Sequence, residues 1–223
     1  MRNSIHRALP LAIILTMVMA LLPSGFVLAS SADVTLVSAM QQAEPVTIYS
    51  TSGSQISTLD PQVASDQISI SAIENLFLGL TDADPLNPGN IVPELATEWE
   101  FDETGTVWTF TIRNDVPWVR WDPVTDEAEQ LGMVTAHDIE YGIKRACDPR
   151  LGAYYTSVAD KIILGCDEVS TKPVDEVTDA DYDLVQVTAL DDTTLQVNLQ
   201  FSAGYFFSQT PMGCTAPFRV TSS

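Results

Sequence analysis

Apolar and polar side chains alternate cleanly along two stretches of this chain. Trp108, Phe110 and Ile112 are interleaved with Thr109, Thr111 and Arg113, and Trp99 and Phe101 continue the rhythm upstream. A period of two marks a strand with one buried face. Asp102-Glu103-Thr104-Gly105 supplies turn chemistry between the two runs, so a hairpin is predicted. Residues 184–190 and 194–201 repeat the pattern through Val185 and Val187, then Leu195, Val197, Leu199 and Phe201, and Asp191-Asp192-Thr193 turns between them. Residues 46–49 form a further short strand candidate.

Helical spacing occurs twice. Apolar residues at 70, 73, 76, 77 and 80 predict a helix over 68–80, with Gly79 near its end. Ile139, Ile143 and Ala146 form the inner face of a second helix over 135–146, opened by Thr135 with Asp138 three residues on and stopped shortly before Pro149. Leu59-Asp60-Pro61 reads as a turn, since proline fixes φ and biases Asp60 away from helix. Residues 82–93, 118–132 and 165–181 read as loops. Two hairpins, two helices and mixed connections predict α/β or α+β architecture, in a chain long enough for a sizeable core.

The first 29 residues stand apart. Arg2 and Arg7 precede a charge-free apolar stretch, Pro23, Ser24 and Gly25 break it, and Val27-Leu28-Ala29 offers a cleavage site. This is the pattern of a secretory signal peptide. The alternative, an uncleaved anchor, requires roughly 18 apolar residues, and this stretch is shorter and contains Pro10. Residues 30–45 read as a flexible leader. The chain carries a net charge of −20, and loss of the signal makes it more negative still. Such a balance excludes nucleic acid and anionic membrane surfaces as partners and suits a solubilising exterior on an exported protein.

Three cysteines are present, Cys147, Cys166 and Cys214. Outside the cytoplasm an oxidised pair persists. Cys147–Cys166 is the favoured bridge, which leaves Cys214 single, and three buried free thiols are the alternative. After export His137 is the one remaining histidine, a first-turn helix residue facing solvent, so no Ser/His/Asp or Cys/His set forms. Glycine-rich phosphate loops and spaced metal ligands are lacking, and Asp191-Asp192 fits a solvated turn better than paired catalytic carboxylates. No cofactor and no metal are expected, and the chain reads as a non-enzyme.

Six segments in order carry a resemblance: Leu59-Asp60-Pro61; Asn75-Leu76-Phe77-Leu78-Gly79-Leu80; Val92-Pro93-Glu94-Leu95-Ala96-Thr97-Glu98-Trp99; the Trp108–Arg113 strand; Thr135-Ala136-His137-Asp138-Ile139 with Lys144-Arg145-Ala146; and Leu190-Asp191-Asp192-Thr193-Thr194-Leu195. Together they resemble the N-terminal portion of extracellular solute-binding protein family 5, the dipeptide- and oligopeptide-binding proteins of ABC transporters. The resemblance implies a periplasmic-binding-protein-like type II fold, α/β, a two-lobed clamp with an extra small domain. Residues 46–78 would start lobe I, 79–200 would form the small domain and adjoining hairpin, and 201–223 would return to lobe I. Because the family's chains are more than twice as long, a truncated product is expected.

The implied function is capture of short peptides between lobes and delivery to an ABC permease, by a monomer in the periplasm or on the outer face of the cell membrane. Relatives that bind nickel complexes, haem or oligosaccharides, and a secreted adhesion module, are the alternatives. Gln67, Ile68, Ser69 and Ile70 are the ligand-binding positions that the resemblance implies, against ordinary helix lead-in with Ser69 as N-cap. Trp118 and Trp121 offer stacking surfaces, although packing of their loop is the favoured reading.

Overall fold

The computed structural model describes residues 53–87, 89–206, 216 and 217. The signal peptide, the leader, the strand candidate at 46–49 and Cys214 lie outside the described residues. In chain order the elements are α1 (Gln67–Glu74), β1 (Thr81–Ala83), β2 (Ile91–Pro93), β3 (Ala96–Phe101), β4 (Val107–Ile112), β5 (Pro117–Asp122), β6 (Glu127–Met133), α2 (Ala136–Ala146), α3 (Thr156–Ala159), α4 (Cys166–Ser170), β7 (Val187–Asp191) and β8 (Thr194–Asn198), with two 3₁₀ turns at Val174–Glu176 and Asp179–Leu184.

The core is an antiparallel sheet of order β3-β4-β8-β7. Register puts Phe110 opposite Leu195, Trp108 opposite Val197, and Val187 opposite Val197 on the other side of β8. One face is therefore a continuous apolar surface, and α2 lays Ile139 and Ile143 within the same buried cluster. Trp108, Phe110, Leu195, Val197, Ile139 and Ile143 are all almost completely buried. Both predicted hairpins form, and β4 and β8 bury every second residue as the alternation predicts. On β3 the alternation is weaker, with Trp99 half-buried and Phe101 exposed, and Val185 and Phe201 lie outside β7 and β8.

The turns form as their chemistry dictates. Asp102 accepts from the N–H groups of Thr106 and Val107 at 3.0 Å each, and Gly105 takes a positive φ of 70°. The Asp191 carboxylate accepts from Thr193 N–H at 2.8 Å. At the start of α2, the Asp138 carboxylate reaches back to Thr135 N–H at 2.9 Å, closing the capping interaction the sequence predicts.

Four expectations need correction. Residues 82–93, expected as a loop, hold most of β1 and all of β2, paired antiparallel at Asp82↔Val92 and Ala83↔Ile91. The helix expected over 68–80 ends at Glu74. Leu80 instead turns inward to full burial, and the carbonyls of Gly79 and Leu80 accept from Leu95 and Ala96 N–H groups, which demands an extended backbone. Residues 118–132 are not a loop. Most of them belong to the β5–β6 hairpin, pinned by pairs such as Arg120↔Glu129 and Trp121↔Ala128. Finally, 165–181, expected as a loop, contains α4, the whole of the first 3₁₀ turn and the start of the second.

Cys147, the residue closing α2, is bonded to Cys166, the first residue of α4. The expected bridge is present, with both residues fully buried. Gly165 before it has a φ of 82°, and a Cβ there would fall 1.9 Å from the Leu184 carbonyl oxygen, so only glycine fits.

Candidate solute-binding site

Beside α1 lies a cavity of about 640 Å³, the size of a small-molecule site. Ile70 and Ile73 of α1, Phe77 and Leu78 after it, and Tyr155 before α3 supply apolar wall; Glu94 and Asp82 supply carboxylates. These residues are drawn from four separate parts of the chain. They meet because the 79–80 segment pairs with 95–96 and because α2 ends beside the 60–64 turn.

That turn is fixed by a polar network. Arg145, near the end of α2, donates from Nη1 to Asp60 Oδ1 at 2.8 Å and to Gln62 Oε1 at 2.9 Å, and from Nη2 to Asp60 Oδ2. Gln62 is buried and donates to the Ala216 carbonyl at 3.0 Å. Burial works against the Arg145 charge, but the Asp60 hydrogen bonds and field outweigh it and hold its pKa above the ordinary value. Pro61 and Gln62 are thereby presented to the cavity as rigid wall.

The four positions implied by resemblance divide in the structure. Ile70 lines the cavity. Ser69 is fully buried, and its hydroxyl accepts from the N–H groups of Ser57 and Thr58 at 3.0 and 3.3 Å. The N-cap of α1 is Asp66 rather than Ser69: its Oδ1 accepts from Ile68 and Ser69 N–H at 3.1 and 2.9 Å. Hydrogen bonds from Ser57 and Ser69 pull the Asp66 pKa down to about 2. Gln67 is exposed and bonds along the helix to Ser71 at 3.3 Å. Trp118 packs edge-on at 6.4 Å against the cavity-wall residue Phe77 and donates to Asp138 at 3.3 Å, and is not itself a lining residue. Trp121, on β5, is 57% exposed.

Sequence reasoning passes over Glu94, the most perturbed group in the cavity. Burial pushes its pKa from 4.5 up to about 7, helped by the like charge of Asp82 and opposed by a hydrogen bond from Gly79 N–H at 2.5 Å. A folded-state pKa above the unfolded one means that the folded chain holds the proton more tightly. Folding is favoured while the carboxyl is protonated, and that advantage is lost as pH rises from 4.5 through 7. We therefore expect Glu94→Gln to be more stable than the parent at pH 8, with the difference vanishing near pH 4.5. The gain is on the order of 1 kcal/mol, reduced from the full shift because half of the carboxylate stays near water. Urea unfolding at the two pH values checks this, and a pH-independent difference would contradict it.

Among the described residues no cluster of His, Cys, Asp and Glu is arranged to hold a metal ion. Residues 90–220 match the model of bacterial extracellular solute-binding proteins, family 5 Middle. The chain belongs to this family. It is 30% identical over 203 residues to the periplasmic oligopeptide-binding protein OppA of Escherichia coli, covering 90% of this chain and 33% of that protein. Against the oligopeptide-binding protein AliA of Streptococcus pneumoniae it is 32% identical over 143 residues, 64% of this chain and 20% of the relative. The crystal structure of the substrate-binding domain of an oligopeptide ABC transporter from Bacillus anthracis superposes with a TM-score of 0.61 at 27% identity, over 76% of this chain and 29% of that one. The fold class expected from the sequence, α/β of the periplasmic-binding-protein kind, is the fold found here. The family 5 chain described above spans only a fifth to a third of the curated relatives' length.

Proposed function

We propose that this protein is the extracytoplasmic solute receptor of an ABC importer, capturing short peptides and handing them to a membrane permease without transforming them. Residues 46–78 then begin lobe I of a clamp, 79–200 form its small extra domain, and 201–223 run back toward lobe I. The protein works as a monomer, in the periplasm or on the outer face of the membrane, with a secretory signal in its first 29 residues.

The observation that carries this reading is the cavity beside α1. It joins apolar wall from Ile70, Ile73, Phe77 and Tyr155 to a few polar groups in a volume that suits a short peptide. A receptor that accepts many side chains needs adaptable apolar surface and backbone contacts rather than a fixed set of side-chain hydrogen bonds. Ile70 and its neighbours Gln67, Ile68 and Ser69 form the stretch along which the ligand lies, with Ile70 in direct contact and Ser69 bracing the wall through Ser57 and Thr58. Membership in a solute-binding family and relatives that bind oligopeptides support the assignment.

Calorimetric titration of the purified chain with a pool of tri- and tetrapeptides tests the proposal. Saturable heat is expected, weakened by about tenfold in Ile70→Ala, since a truncated contact of that kind costs about 1 kcal/mol or more. A flat isotherm to millimolar peptide would sink the assignment.

A further inference from the structure

Among the described residues the cavity carries charge of one sign: three carboxylates, Glu74, Asp82 and Glu94, on three different segments, line it, and none of its described lining residues is a lysine or arginine. Among the described residues, the two cations just before lining residue Ala146 are engaged elsewhere: Arg145 grips Asp60 and Gln62, and Lys144 pairs with Glu140 at 2.7 Å. Among the described residues, Gly79 N–H is the hydrogen bond received by the Glu94 carboxylate, which is half withdrawn from water. A charge so placed lacks the solvation that a surface glutamate enjoys, and a ligand cation would restore it.

We propose that this cavity selects short peptides that combine apolar side chains with a positive charge, Glu94 and Asp82 meeting the cation while Ile70, Ile73, Phe77 and Tyr155 hold the apolar part. The inference rests on the peptide-receptor reading and adds its specificity. Its physical basis is focusing: carboxylates set in low-dielectric apolar wall attract a cation more strongly than the same groups in open water, and repel an anion by the same route. Discrimination then comes from both terms, attraction for the cationic peptide and rejection of the acidic one.

Among the described residues, the ionisable groups that line the cavity are Glu74, Asp82, Glu94 and Tyr155. Asp82 and Glu74 face solvent and Glu94 is half-buried. Ligand charge and proton compete for Glu94, so the preference strengthens as that carboxylate ionises.

The test compares leucyl-lysyl-leucine, leucyl-glutaminyl-leucine and leucyl-glutamyl-leucine by calorimetry with the 223-residue chain at pH 8. The lysyl peptide is expected to bind about tenfold or more tighter than the glutamyl one, with the glutaminyl peptide between. In the isosteric double variant Asp82→Asn/Glu94→Gln the spread should shrink to about threefold or less, with circular dichroism unchanged. Equal affinities in the parent overturn the selectivity and leave the receptor reading standing. A preference that survives intact in the double variant assigns it to the general acidity of the protein and overturns this site. Absence of saturable binding by all three peptides overturns both the selectivity and the receptor reading.

Discussion

Removing the Cys147–Cys166 bridge lowers the stability of the folded chain by about 3 kcal/mol, the loop-closure value for a separation of 19 residues. The bridge ties the end of α2 to the start of α4. That region otherwise consists of short helices, 3₁₀ turns and irregular backbone whose own hydrogen bonds stabilise them weakly. In a domain of this size a loss of that order shifts the melting temperature by about 10 °C. Cys147→Ala/Cys166→Ala is the cleaner variant, because it leaves no thiols to oxidise with Cys214. Thermal melting of the parent with and without reductant, beside the double variant, reads the effect. Superimposable melts would contradict it, as would free thiols at both positions in non-reducing peptide mapping.

Arg145→Met should cost about 2–3 kcal/mol and weaken peptide binding tenfold or more. The Arg145 side chain is only 15% exposed; its guanidinium forks onto Asp60, whose side chain is 24% exposed, and also reaches Gln62. Methionine keeps much of the volume but leaves a largely buried carboxylate without its cation and an amide oxygen without its donor. Breaking a fully buried pair costs about 3–5 kcal/mol, and the residual exposure of Asp60 trims that figure. The functional loss follows because Asp60 anchors the turn that sets Pro61 and Gln62 against the cavity. Asp60→Asn/Arg145→Met should recover part of the stability by removing the orphaned charge. Urea titration and calorimetry on the parent and the two variants decide the matter. Arg145→Met within about 0.5 kcal/mol of the parent would show that the pair is a solvated surface contact after all.

How much could be read from the chain varies by element. Strands β4 and β8 are legible because each buries one face, so alternation is imposed on every second residue. Helix α2 is legible because it carries a capped start and an inner face at helical spacing. The β5–β6 hairpin escapes a sequence reading for the converse reason. Its strands are largely exposed on both faces, so nothing forces alternation on Glu127-Ala128-Glu129-Gln130, and Arg120–Glu129 pairing leaves no periodic trace. The early end of α1 is invisible for another reason: Leu76, Phe77 and Leu80 keep helical spacing, but pairing of residues 79–80 with 95–96 overrides it. Within the site, Ile70 is reachable from the resemblance, whereas Glu94, Asp82 and Tyr155 have no local signal.

Local chemistry by itself determined the two core hairpins, the capped helix, the acid-rich exterior, the oxidised cysteine pair and the family. All of these rest on interactions between near neighbours in sequence or on composition, which a linear reading can count. Only the tertiary structure decided where the cavity lies, that Asp66 rather than Ser69 caps α1, and that Glu94 sits half-buried beside Asp82. The cap is a local contact, decided because the Ser69 hydroxyl is taken by the Ser57 and Thr58 N–H groups. The cavity and the burial of Glu94 depend on contacts between segments well apart in sequence, such as Arg145 with Asp60 and Glu94 with Gly79, whose energy is set by burial that no stretch of sequence displays alone.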